Sequence, residues 1–332
     1  MAYRLLGSAT DAEDMVQETF AAVHAAAAGD AALRKATASD EAAGDAGAYG
    51  NGPLRATAGS DARPASDAAT GATGPGDNLV HNWKAYLCRV VTNRCMDLLK
   101  SARKKRELYV GPWLPEPLVQ QVAQPGGDPL EATLLEETVS YAFLVMLEKL
   151  SPLERAVFVL REAFGYSYRD IAGIVGKTEL ACRKTHSRVR RKVQAEPAAV
   201  QADAEMNRTI VKQFLHAAAT GDMAALIGLL SEEATLVSDG GGKRLSALQP
   251  IVGRERVFAF LAGLAVKFGA AAVVRPAIVG GEHGLVVETP DGPTVMLFAV
   301  QEGGRCTHIY MVRNPNKLGT LERLLDSRAE EN

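Results

Sequence analysis

The sequence predicts a multidomain chain of 332 residues: two all-α helical segments, the second ending in a helix-turn-helix, then an α+β domain. Ser167 to Lys192 reads as a short amphipathic helix, a glycine turn and a strongly basic second helix. Helical periodicity governs most of what precedes it. Beyond a short Ala/Pro/Gln linker at 195–204, helical runs give way to short apolar runs separated by glycine turns, the pattern of helices followed by a strand meander.

The first twenty residues read as helical. Thr10 with Glu13 makes a capping box, and Met15, Val16, Thr19 and Phe20 recur at helical spacing opposite Asp11, Asp14, Gln17 and Glu18, an acidic amphipathic helix. From Ala25 to Val80 the pattern collapses. There 19 Ala and 9 Gly fill 28 of 56 positions and large apolar side chains are almost missing, so a disordered insertion is expected over 25–80. Periodicity returns at Trp83: Tyr86, Leu87, Val90, Val91, Cys95, Leu98 and Leu99 trace one side of a helix that runs out into the basic stretch Lys100 to Arg106. In Gly111 to Pro117, three prolines in six residues fix extended geometry, which predicts a stiff linker over 109–128 with Trp113 exposed. Ser151-Pro152-Leu153-Glu154 is a capping box with Pro at the first helical position, opening a helix to about Phe164 that Gly165 can close.

In the helix-turn-helix, Ser167 and Asp170 cap the first helix, Gly176 ends it, and Thr178 offers its hydroxyl to the second. From Arg183 to Lys192 six of ten residues are Lys or Arg with no acid among them, which suits DNA phosphate and the major groove. In the C-terminal part, helices are expected at Asn207 to Ala219, Met223 to Leu230 and Arg254 to Phe268, and strands at Ala271 to Val279, Leu285 to Glu288, Thr294 to Gln301 and Arg305 to Val312.

The formal net charge of −2 conceals segregation, with basic runs at Lys100 to Arg106 and Arg183 to Lys192 and acids at Asp11 to Glu18 and across the C-terminal half. Four scattered cysteines form no CxxC pair, so no metal site, disulfide framework or cofactor is expected. No long apolar run or leader pattern occurs, and a cytoplasmic protein without membrane contact is the expectation. A single base contact discriminates by roughly 1–3 kcal/mol, whereas useful specificity needs about 4–10 kcal/mol, so one recognition helix demands a second reading module.

The helical half resembles the extracytoplasmic-function (ECF) sigma factors of bacteria. Ala2 to Ser8 with Asp11 to Phe20 looks like the part of sigma region 2 that binds the RNA polymerase clamp. Ala85 to Lys100 looks like the part that opens and reads the -10 promoter element, and Ser151 to Lys192 looks like region 4, reader of the -35 element. The C-terminal half resembles cone-shaped NTF2-like domains of the SnoaL type. Three signatures narrow the match to the ECF group with such a fused domain: Trp113-Leu114-Pro115-Glu116-Pro117, Asp239-Gly240-Gly241-Gly242-Lys243 and Asn314-Pro315-Asn316-Lys317-Leu318.

The resemblance implies region 2 over 1–108, region 4 over 129–194, the SnoaL/NTF2-like domain over 205–320 and a tail over 321–332, and a non-enzymatic protein. Core RNA polymerase, through clamp and flap, and promoter DNA are the implied partners, with a small-molecule ligand for the C-terminal domain as an open option. Asp11, Glu13, Asp14, Gln17, Glu18 and Phe20 would contact polymerase. Trp83, Tyr86, Arg89, Asn93, Arg94, Lys100, Arg103 and Lys104 would hold the -10 element, where aromatic and planar polar groups suit an unpaired strand. Arg183, Lys184, His186, Ser187, Arg188, Arg190 and Arg191 would hold the -35 element, and the three signatures would make regulatory contacts.

Family members usually begin about a helix earlier, so region 2 is expected to be short at its start, and Asn316 stands where the family generally has Asp. Two other readings fit parts of the chain. One is a one-component helix-turn-helix regulator that senses a ligand. The other is a helix-turn-helix fused to a SnoaL-type isomerase or cyclase, with Asp239, His283 or His308 as its acid or base.

Overall fold

The computed structural model describes residues 1–24, 83–106, 108–122, 140–194, 204–301, 303–322 and 325. The expected insertion at 25–80, the predicted start of the second helical segment at 129–139 and the end of the tail lie outside the described residues. The chain divides into two units, Gln17–Val90 and the remainder, Met1–Val16 with Val91–Asn332. The described parts of the smaller unit, residues 17–24 and 83–90, are helical.

Helix α1 (Ala2–Leu6) closes on Gly7 at φ 66°. A side chain there would be strained by that backbone and would meet the Glu148 carboxylate at 2.6 Å and the Trp113 ring at 3.1 Å, so only glycine lets these elements approach. Helix α2 (residues 9–24) starts one residue before Thr10, because Ser8, not Thr10, is the cap: the Asp11 amide donates to Ser8 Oγ at 3.2 Å. Helix α3 (Trp83–Arg106) continues through the basic run.

The second helical segment comprises α4 (Tyr141–Glu148), α5 (Pro152–Glu162), α6 (Tyr168–Val175) and α7 (Glu179–Gln194). The Ser151/Glu154 capping box opens α5 as the spacing predicts, and Gly165 (φ 67°) follows its end. Ser167 caps α6, and Gly176 at φ 65° ends it in the left-handed conformation that glycine favours. Asp170 departs from the expected box: its carboxylate accepts from Ser167 Oγ at 2.6 Å.

The C-terminal domain places α8 (Ala204–Thr220), α9 (Met223–Gly228) and α10 (Arg254–Phe268) beside a seven-stranded sheet, the expected α+β arrangement. The strands are β1 (Val119–Val122), β2 (Leu230–Asp239), β3 (Ile251–Val252), β4 (Val273–Val279), β5 (Glu282–Glu288), β6 (Thr294–Gln301) and β7 (Arg305–Val312), in the order β1-β4-β5-β6-β7-β2-β3. Three strands, β1, β2 and the two-residue β3 paired with β2, depart from expectation. β2 lies inside the sheet, parallel to β7, although Glu232 and Glu233 interrupt its alternation. β1 comes from the proline-rich linker and pairs antiparallel with β4.

Both faces of the sheet are buried. Met296, Phe298 and Val300 of β6 pack in one core with Ile210, Phe214, Val257 and Leu261 of α8 and α10. Val295, Leu297 and Ala299, which alternate with them, belong to a second core that holds Leu5, Leu114, Tyr141, Leu160 and Val189 of the helical half. The continuous apolar run of β6 is what a strand covered on both sides requires.

Candidate interdomain clasp and nucleic-acid interface

The linker signature ties three parts of the chain together through three consecutive residues. The Leu114 amide donates to Asp239 Oδ2 at 2.9 Å, and its carbonyl accepts from Lys317 Nζ, both in the C-terminal domain. The Pro115 carbonyl accepts from the Tyr141 hydroxyl of α4 at 2.6 Å. The Glu116 amide donates to the Gly7 carbonyl at 2.7 Å, and its own carbonyl accepts from the Tyr3 hydroxyl at 2.8 Å. Its carboxylate accepts from the Ala9 amide at 2.9 Å and from Ser8 Oγ at 3.3 Å, an anion on the free amides that begin α2. Prolines on either side of Glu116 hold the strand extended so that successive groups point to different neighbours.

Asp239, the last residue of β2, sits at the centre with no solvent exposure. Besides the Leu114 amide it accepts from the Tyr109 hydroxyl at 2.5 Å and from Lys317 Nζ at 2.7 Å. The same ammonium lies 3.7 Å from the Trp113 ring centroid, a close cation–π contact. Burial, followed by the hydrogen bond and charge of Asp239, pushes the Tyr109 phenol well above its ordinary pKa, so it remains a donor. The Asn314 amide donates to the Tyr109 oxygen at 2.7 Å, and Lys243 Nζ donates to Asn316 Oδ1 at 2.8 Å. Gly240 and Gly241 keep this approach open: a Cβ at Gly240 would meet the Arg244 carbonyl at 2.2 Å, and one at Gly241 the Asn314 amide at 2.3 Å. Gly242 and Lys243 are exposed at the rim, whereas Pro117 and Leu318 are buried beneath it. Trp113 is therefore half-buried under Lys317 and not the exposed linker residue that its proline neighbours suggest.

Further bonds tie α5 to α1 and the sheet to α4. Arg155 of α5, 2% exposed, donates through Nη1 to the Leu5 carbonyl and to Glu148 Oε1, each at 2.7 Å. Glu282, at the start of β5, accepts from the Tyr141 amide at the start of α4 at 2.8 Å, and burial raises its pKa to about 7 against that bond.

Helix α7 presents a basic surface. Cys182, His186, Val189 and Val193 face inward, and Leu180, Lys184, Ser187 and Arg191 form the opposite ridge, with Arg183 and Arg190 on one flank and Arg188 and Lys192 on the other. His186 corrects the expectation that it contacts DNA. It is 6% exposed, stacks on Phe158 at 5.8 Å, bonds the Tyr168 hydroxyl at 3.0 Å and Glu162 Oε1 at 2.7 Å, and so braces α7 on α5 and α6. Arg183 is ordered by Glu179 at 2.6 Å and by the Tyr168 ring at 5.1 Å. Arg188 and Lys192 share Glu154 Oε1 at 3.3 and 3.2 Å. Burial alone would raise the Glu154 pKa, but bonds from Ser151 and then Lys192 hold it at about 2, so it stays an anion.

On α2, Asp11, Glu13, Asp14, Gln17 and Glu18 are exposed, and Phe20 is 59% exposed beside them. On α3, Tyr86 and Arg89 are exposed, Asn93 and Arg94 are half-buried, and Lys100 is exposed and paired with Asp97 at 2.7 Å. Trp83, Arg103 and Lys104 lie within the helix, but their side chains are outside the described ones. The three acid–base candidates do not converge. Asp239 is in the clasp, His283 shares a face of β5 with Leu285 of the α8 core, and His308 stacks on Tyr310 at 5.9 Å on the opposite face of the sheet. Tyr3, Tyr109, Tyr141, Arg155 and Glu282 carry much of the network and were missed by sequence reasoning, since their partners lie far along the chain and no local spacing signals such long-range bonds.

Residues 140–193 match the Sigma-70, region 4 family. The ECF RNA polymerase sigma factor SigJ of Mycobacterium tuberculosis is 31% identical over 265 residues, covering 76% of this chain and 84% of that protein. The chain belongs to the ECF RNA polymerase sigma factors. The crystal structure of Mycobacterium tuberculosis SigJ superposes with a TM-score of 0.62 at 26% identity, covering 96% of this chain and 93% of that one. A probable ECF sigma factor of the same organism, SigI, is 33% identical over 150 residues, 44% of this chain and half of that protein. This sigma factor thus combines the helical sigma domains with a fused C-terminal α+β domain, and it directs transcription initiation; sigma factors are not enzymes. Among the described residues no helix is long and apolar enough to cross a membrane.

Proposed function

We propose that the chain is a self-restrained sigma factor whose C-terminal domain holds region 2 and region 4 together until core polymerase separates them. In this reading the α2 face of Asp11, Glu13, Asp14, Gln17, Glu18 and Phe20 docks on the polymerase clamp. Helix α3, with Trp83, Tyr86, Arg89, Asn93, Arg94, Lys100, Arg103 and Lys104, opens and holds the -10 element. Region 4 sits at the flap and reads the -35 element with Arg183, Lys184, Ser187, Arg188, Arg190 and Arg191, while His186 only braces the reader.

The observation that carries the restraint is the linker hub: Leu114, Pro115 and Glu116 bond in turn to the C-terminal domain, to α4 and to the start of α2. The two promoter elements lie about 25 base pairs apart, roughly 85 Å at 3.4 Å per pair. Region 4 cannot reach that far while Arg155 of α5 holds the Leu5 carbonyl of α1 at 2.7 Å. The basic ridge of α7 is nevertheless exposed, so the C-terminal domain acts on distance and leaves the DNA face open. Phe214 and Phe298, 5.2 Å apart, pack between α8 and the sheet in one core with Met296 and Met311, and the regulation proposed works through the clasp.

The test is run-off transcription at limiting core polymerase with the full chain and its Lys317→Met variant. The variant should give more promoter-specific transcript at equal protein. Equal or lower output from a folded variant would refute the restraint.

A further inference from the structure

We infer that Leu180 is a specificity residue of region 4 that reads the methyl group of a thymine in the upstream promoter element; this rests on the proposed reading of that element by α7. Leu180 is 61% exposed, an apolar side chain in the first turn of the recognition helix. It begins the outward ridge continued by Lys184, Ser187 and Arg191, opposite the buried Cys182, His186, Val189 and Val193. Nothing described in the structure covers that ridge, and its flanks carry Arg183, Arg190, Arg188 and Lys192, whose charge selects duplex DNA as the occupant.

Three of the four flanking cations are paired. Arg183 is fixed by Glu179 and the Tyr168 ring, and Arg188 and Lys192 share Glu154. Groups held on both flanks suit the two phosphate strands bordering a groove, and they leave the central ridge to face base edges. In a recognition helix the N-terminal residues lie against those edges. Lys184 and Ser187 can hydrogen-bond there, whereas Leu180 can only exclude water. Against a base amino or carbonyl group this would leave a polar group unsatisfied; against the C5-methyl of thymine it buries apolar surface.

Ala removes the contact at little risk to the fold, because Leu180 is exposed and Ala is the better helix former. Holoenzyme assembled from the full chain and bacterial core polymerase would select its preferred upstream element from a randomised duplex pool. Each thymine of that element would then be replaced by uracil, which lacks only the methyl. For the wild-type chain one replacement should weaken binding about fourfold, the equivalent of about 0.8 kcal/mol for one buried methyl. In Leu180→Ala the same replacement should have no effect, and the salt dependence of binding should match wild type. Leu180→Gln should move the preference at that position from thymine towards adenine, which Gln can bond in bidentate fashion.

The inference is overturned if every uracil replacement is neutral for the wild-type chain, or if Leu180→Ala keeps its sensitivity at the same base. A pool that yields no upstream preference at all would instead overturn the region 4 reading on which it rests.

Discussion

Replacing Lys317 by Met keeps most of the apolar stem of the side chain and removes the ammonium that Asp239, the Leu114 carbonyl and the Trp113 ring share. Asp239 has no solvent exposure, so its carboxylate is left buried with, among the described residues, Tyr109 and Leu114 as its remaining donors. Breaking a buried pair from one side costs about 3–5 kcal/mol, and partial exposure of Lys317 places this case near 3 kcal/mol. That is a large share of a domain's 5–15 kcal/mol but rarely all of it, so the domain should stay folded while the clasp weakens. Asp239 and Lys317 both belong to the C-terminal domain, so the closed-to-open ratio falls only by what the Leu114 carbonyl and the Trp113 ring lose, about 2–3 kcal/mol or roughly 30–150-fold. Asp239→Ala alone should cost a similar amount, and the double variant much less than the sum, with a coupling of about 1–3 kcal/mol. Urea unfolding followed by tryptophan fluorescence measures this cycle, since the chain has two tryptophans and Trp113 lies against Lys317. Additive effects, or a Lys317→Met variant with wild-type stability and an unmoved Trp113 signal, would refute the clasp.

Glu116→Ala removes the anion from the start of α2 and should cost about 0.5–2 kcal/mol, readable as faster hydrogen exchange at the Ala9 and Thr10 amides. Arg190→Ala, on a flank, should lower the salt slope of DNA binding by about 0.9, whereas His186→Ala should lower the melting temperature through lost packing on Phe158. Glu282 holds its proton in the folded chain up to about pH 7, while the unfolded chain releases it near 4.5. Its contribution to stability is therefore full below pH 4.5 and disappears as pH rises to about 7. Melting temperatures of Glu282→Gln across this range should lack that part of the wild-type fall; parallel curves would mean that Glu282 is ionised throughout.

What was legible in the sequence follows from how local each signal is. The α5 capping box, the Gly176 turn and the basic run of α7 are set by residues a few positions apart, and they appear where the spacing puts them. β2 was not legible because Glu232 and Glu233 break its alternation, and its place beside β7 is decided by residues some seventy positions away. β1 was hidden because prolines mark a linker equally well when it joins a sheet edge. The three signatures were visible as motifs, but that they close on one carboxylate depends on long-range packing. His186 misled because it sits in a basic run, where charge suggests DNA, while helical phase turns its ring onto Phe158 and Tyr168.

Run-off transcription with purified bacterial core polymerase, comparing the full chain with Lys317→Met at limiting polymerase, tests the central claim most directly. Promoter-specific transcripts from both, with the greater yield from the variant, are what a sigma factor restrained by its own C-terminal domain must give. Transcripts of equal yield, with the variant folded and its clasp open by fluorescence, would show that closing region 2 on region 4 does not restrain the protein.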